Sequence, residues 1–94
     1  MDELPLPLLR ALVAVAEARS FSRAARALGI SQSTISSQIL RLEQRVGTTL
    51  IERTTRSVET TAAAQRLLPI ARDILRLQRI ALSRLDARPL SGMV

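Results

Sequence analysis

The 94-residue sequence contains no cysteine and no histidine. Disulfide stapling, thiol chemistry and the usual zinc-ligand sets are thereby excluded, and metal-assisted or nucleophilic catalysis loses its common side chains. No enzymatic activity and no cofactor are expected. Aromatic residues are nearly absent, Phe21 being the sole one, so single-strand binding by base stacking has little to work with and duplex DNA is the better match. No apolar run of about 18 residues is present, and the start Met1-Asp2-Glu3-Leu4 lacks the basic region of a signal peptide. A cytosolic protein is expected.

Lysine is missing as well, so every positive charge in a net balance of +6 is an arginine. Arginine suits bidentate phosphate and guanine contacts, although its exclusive use equally fits a GC-rich genome. The basic balance favours a polyanionic partner, either nucleic acid or an anionic membrane surface. Membrane-surface binding by the last helix is the weaker of the two. Asp73 and Asp86 interrupt that segment, and it has no interfacial aromatic.

A chain of this length makes one small domain with a modest core. Pro5 and Pro7 suit a first helical turn, and Leu8, Leu9, Leu12, Val13, Val15 and Ala16 then recur at helical spacing to about Arg19. Ser20 and Ser22 offer N-cap oxygens for a short helix, Arg23 to Leu28, whose Ala24, Ala25 and Ala27 permit close helix approach. Gly29 stops it. Ser31 caps a third helix, Gln32 to Arg45, with Ile35, Ile39, Leu42 and Val46 on one face and Gly47 as terminator. The threonine-rich stretch Thr48 to Thr61, with Leu50, Ile51 and Val58, reads as a β-hairpin with its tip at Thr54-Thr55-Arg56-Ser57. That tip has no Gly, Asn or Asp, so a wider loop than a two-residue primed turn is expected.

From Ala62 to about Leu85 the sequence predicts a final helix with an apolar stripe at Leu67, Ile70, Ala71, Ile74, Leu77, Ala81 and Leu85. With the core closed by the first three helices, this stripe is expected to pack on a second copy of the chain. Pro69 falls inside it, which predicts a kink at a cost of about 3 kcal/mol. Arg88-Pro89-Leu90-Ser91-Gly92 reads as a linker to something further on. The expected divisions are 1–61 for the helix-turn-helix with its hairpin, 62–87 for the dimerisation helix and 88–94 for the linker.

Two short helices joined by the turn Gly29-Ile30-Ser31 carry the spacing of a helix-turn-helix. At about 100° per residue, with Ile35, Ile39 and Leu42 inward, Ser33 and Ser37 point outward and Gln32, Thr34, Ser36 and Gln38 flank them. Small polar side chains let a helix approach the floor of a major groove. There Gln pairs with adenine, Ser and Thr are versatile, and the Thr methyl meets a thymine methyl. Arg41 is placed for phosphate. Leu40, roughly 140° from the buried stripe, has two readings: contact with a thymine methyl, or partial cover by the hairpin. Arg53 also has two: an ion pair with Glu43 or Glu52 inside the domain, or a phosphate contact. Arg23 and Arg26 divide between phosphate clamping and ordinary surface charge, and Phe21 is expected in the core.

Ser20-Phe21-Ser22, Ala24-Ala25, Leu28, Ser31-Gln32-Ser33, Ser36, Gln38-Ile39, Leu42-Glu43, Gly47, Leu50, Arg53 and Arg56 together resemble the N-terminal domain of LysR-type transcriptional regulators. The resemblance runs from about Leu8 to Leu75. It implies a mainly α fold with a small β-hairpin, a winged helix-turn-helix followed by a long dimerisation (linker) helix. It implies sequence-specific binding of double-stranded DNA at interrupted palindromes for transcription regulation by a homodimer, with higher oligomers in a full-length protein. A further domain, absent here, would sense a small-molecule co-inducer.

By position, the resemblance places Gln32, Ser33, Ser36 and Ser37 at the major groove and Arg56 on the wing, reaching the adjacent minor groove or its phosphates. Ser37 departs from the frequent Arg, Ile51 from the usual Phe, and Thr60 and Ala64 from a usual Leu and Gly. The competing reading is a helical protein-interaction module without specific DNA binding.

Overall fold

The computed structural model describes residues 3–86. In chain order it comprises α1 (Leu6–Ala18), α2 (Phe21–Leu28), α3 (Gln32–Val46), β1 (Ile51–Arg53), β2 (Val58–Thr60) and α4 (Ala62–Asp86). The expected linker at 88–94 lies outside the described residues.

Local chemistry sets each boundary. Pro5 caps α1 with its carbonyl, which accepts from Leu8 N and Leu9 N. The helix ends at Arg19, a non-glycine residue in the left-handed region (φ 53°, ψ 35°) whose N–H donates to Val15 O at 2.8 Å. Ser20, not Ser22, is the cap of α2: its Oγ accepts from Arg23 N at 3.1 Å, and the helix therefore starts at Phe21, earlier than the expected Arg23. Gly29 (φ 70°) and Gly47 (φ 78°) end α2 and α3 in the left-handed conformation that glycine adopts without a Cβ clash. Ser31 Oγ caps α3 by accepting from Thr34 N.

The hairpin forms with the expected wide tip. Ile51 pairs with Thr60, Glu52 with Glu59 and Arg53 with Val58. Thr54 closes the loop: its N–H donates to Ser57 O, while its Oγ1 accepts from Arg56 N and Ser57 N at 3.1 and 3.0 Å. A threonine hydroxyl here does what Asn or Asp does in many turns. Thr61 then joins sheet to helix, since its Oγ1 donates to Thr49 O and accepts from Ala64 N. The helix α4 runs on through Pro69, which lies on an exposed face.

The core draws on every helix and on the start of the hairpin, with Val58 of β2 partly buried against it. Leu8, Leu9, Leu12 and Val15 of α1 meet Ala24 and Ala25 of α2, Ile35, Ile39 and Leu42 of α3, and Leu50 and Ile51. One expectation is corrected here. The core is not closed by the first three helices, because Ala64, Leu68 and Ala71 of α4 are buried in it against α1. Ala71, expected on the dimer stripe, is 0% exposed within its own domain. An Arg72 Nε–Glu17 Oε2 contact of 3.5 Å spans the same α1–α4 contact.

Candidate nucleic-acid interface

The N-terminal half of α3 stands out from the body of the domain. Gln32, Ser33, Thr34 and Ser37 are exposed, Ser36 is half-buried, and Arg41 follows on the exposed side. Ser31 Oγ lies 3.1 Å from Ser33 Oγ and 2.7 Å from Thr34 Oγ1, so the cap serine holds both neighbouring hydroxyls in one cluster. Gln38 departs from the expected arrangement. It is half-buried, and its Oε1 is enclosed with no hydrogen-bond partner among the described residues. Gln38 stands roughly 60° from Ile35 on the flank that the domain partly covers, whereas Gln32, as far round on the other flank, is exposed.

Glu43 anchors the wing to α3. Its Oε2 accepts from Leu50 N at 2.8 Å and from Ile51 N at 3.1 Å, which fixes where β1 begins relative to the helix. The carboxylate is therefore engaged by backbone, and the expected Arg53–Glu43 pair does not form. No Arg53–Glu52 pair is found either among the described residues. Arg53 instead lays its guanidinium over the Phe21 ring, 3.9 Å from the centroid. At an exposed residue such stacking contributes about 0.5–1 kcal/mol, and it orients the fork while leaving its N–H groups open to an acceptor. Phe21 is buried as expected, and its ring serves both core and wing.

Arg19 was not singled out by the sequence. Its Nη2 reaches Glu59 Oε1 at 3.1 Å. Glu59 sits directly opposite Glu52 across the hairpin, a like-charge pairing that costs stability, and Arg19 offsets it. Both partners are well exposed, so the pair orients more than it stabilises. Nothing in the sequence signals this contact, since a left-handed arginine has no local signature.

The result is a basic channel. A shallow groove of about 300 Å³ between the hairpin and the start of α2 is lined by Arg19, Ser20, Gln32, Arg53, Thr54 and Arg56. Arg56 at the tip and Arg41 on α3 carry no ion pair among the described residues. The arrangement presents unneutralised guanidinium groups on either side of a small polar helix face. It suits an extended polyanion with readable edges.

The second surface is α4. Ile70 (56% exposed), Ile74, Leu77 (57% exposed) and Ala81 follow one another at i, i+4, i+7 and i+11 on an exposed side, while Leu67 is half-buried against the core. Ile80 and Leu82 add exposed apolar surface that the sequence reading did not include. No helix among the described residues is long and apolar enough to cross a membrane.

Comparison with known proteins agrees with this geometry. Residues 6–65 match the family model described as bacterial regulatory helix-turn-helix protein, lysR family. The HTH-type transcriptional regulator BudR of Raoultella terrigena is 48% identical over 91 residues, covering 95% of this chain and 31% of that protein. The chain thus spans less than a third of that relative. Among solved structures, oxidized OxyR of Corynebacterium glutamicum superposes with a TM-score of 0.89 at 38% identity, covering 92% of this chain and 26% of that one. The BenM_DBD/catB site 1 DNA complex gives 0.83 at 37% identity and covers 95% of this chain and 99% of that one. On the match of most of its length and on a fold shared with these neighbours, the chain belongs to the LysR family of bacterial regulatory helix-turn-helix proteins.

Proposed function

We propose that this domain binds double-stranded DNA sequence-specifically, as a homodimer, to regulate transcription. The observation that carries the reading is the exposed polar face of α3, Gln32 to Ser37, flanked by Arg41 and Arg56, which make no ion pair among the described residues. The α3 face enters the major groove, where Gln32, Ser33, Thr34, Ser36 and Ser37 meet base edges and Arg41 meets a phosphate. Arg56 at the wing tip reaches the adjacent minor groove or its phosphates, with Arg53 beside it on the backbone. The family match and a structural neighbour determined with DNA support this assignment.

Ile70, Ile74, Leu77 and Ala81 form the face through which two copies pair. An apolar groove of about 540 Å³, lined by Val13 and Ala14 of α1, Leu28 of α2 and Leu75 and Leu82 of α4, lies on the α1-facing side of α4, roughly 110° round the helix from that face. A dimer reads an interrupted palindrome, because a two-fold protein matches two inverted half-sites. Any co-inducer would act outside the described residues, since the BudR and OxyR relatives are much longer than this chain, and a higher oligomer would likewise belong to a longer protein. The domain is a binding module and not an enzyme, working in the cytoplasm at the nucleoid.

Fluorescence anisotropy of the 94-residue chain with labelled duplexes at two salt concentrations tests the reading. Tight binding at low salt that falls steeply as salt rises is expected from counterion release. Absence of duplex binding at low salt contradicts it.

A further inference from the structure

Among the described residues, every large exposed hydrophobic side chain except one lies on α4. The exception is Leu40 of α3, 55% exposed. At that exposure any cover from the hairpin is partial, and more than half of the residue stays open to a groove-bound partner. Its helical phase places it with the groove-facing residues: Ser33, Ser37, Leu40 and Gln44 recur at i, i+4, i+7 and i+11, and all four are exposed. Leu40 stands about 4.5 Å further along the axis than Ser37. With Ser36, Ser37, Phe21 and Arg53 it borders a depression of about 440 Å³ between α3 and the wing.

A leucine on a face otherwise made of hydroxyls, amides and guanidinium groups asks for an apolar counterpart. The base edges of the major groove offer one, the C5-methyl group of a pyrimidine. We infer that Leu40 is a specificity determinant that packs on a pyrimidine C5-methyl within each half-site. Thymine supplies that methyl in unmodified DNA, and 5-methylcytosine supplies the same group. The inference rests on α3 occupying the major groove. Burying one methyl is worth about fourfold in affinity.

Single thymine-to-deoxyuridine replacements across one half-site of a selected duplex remove methyl groups one at a time, and anisotropy reads the dissociation constant of each. One position is expected to weaken the native chain about fourfold. Leu40→Ala should weaken the unmodified duplex by a similar factor and be indifferent to deoxyuridine at that position, with an unchanged melting temperature. Placing a C·G pair there should weaken the native chain, and methylating that cytosine should recover part of the loss. If every deoxyuridine replacement affects the native and Leu40→Ala chains alike, Leu40 reads no methyl and the inference fails alone. If the native chain binds selected duplexes but Gln32→Ala changes neither affinity nor preference, the major-groove reading fails and this inference with it.

Discussion

At the scale of single residues, the interface separates side chains that would read bases from those that would hold the backbone. Gln32 begins α3 at the exposed end, so Gln32→Ala should relax preference at one base pair of each half-site by about 1–3 kcal/mol. Binding to duplexes varied at that pair measures it; an unchanged preference with reduced affinity makes Gln32 a backbone contact, and no change in either contradicts the major-groove placement. Arg56→Ala should act differently. It should weaken all duplexes evenly and lower the slope of log affinity against log salt by about 1. A changed base preference with an unchanged slope would contradict the wing assignment. Arg53 sits between these cases, because its stack on Phe21 commits its orientation but not its N–H groups.

At the scale of elements, most boundaries were legible because they depend on local chemistry: two glycines at positive φ, serine caps, and a threonine-rich hairpin. What was not legible required tertiary partners. In α4 the residues Ala64, Leu68 and Ala71 form one stripe and Ile70, Ile74, Leu77 and Ala81 another, roughly 110° apart around the axis. Leu67 lies between them and is half-buried. Without α1 in place the two stripes merge into one in the sequence, so Ala71 reads as part of the exposed stripe although it is buried against α1. Gln38 illustrates the same limit, since a flanking phase on α3 does not say which flank the body of the domain covers.

The separation of stripes yields a contrast. Ala71→Glu puts a charge into the core and should unfold the domain, which thermal melting would show. Ile74→Glu should keep the melting transition of the folded subunit yet shift the chain from dimer to monomer in sedimentation. If instead Ile74→Glu remains dimeric, α4 does not pair the copies through this face.

At the scale of the whole molecule, the proposed reading surface on α3 and the proposed pairing surface on α4 share one small core. The hairpin is fixed to α3 by Glu43 and to the α1–α2 corner by Arg19 and Phe21. The helix α4 leaves that core along α1 and continues beyond it, so in the proposed dimer pairing through α4 would set the spacing between two copies of α3. Linked binding then makes the second contact effectively intramolecular. Affinity for two half-sites should far exceed affinity for one.

Selection of bound duplexes from a random pool, performed with the native chain, tests this account most directly. The account predicts enrichment of two inverted half-sites separated by a fixed interruption. Recovery of no common sequence, or of a lone half-site without symmetry, would contradict it.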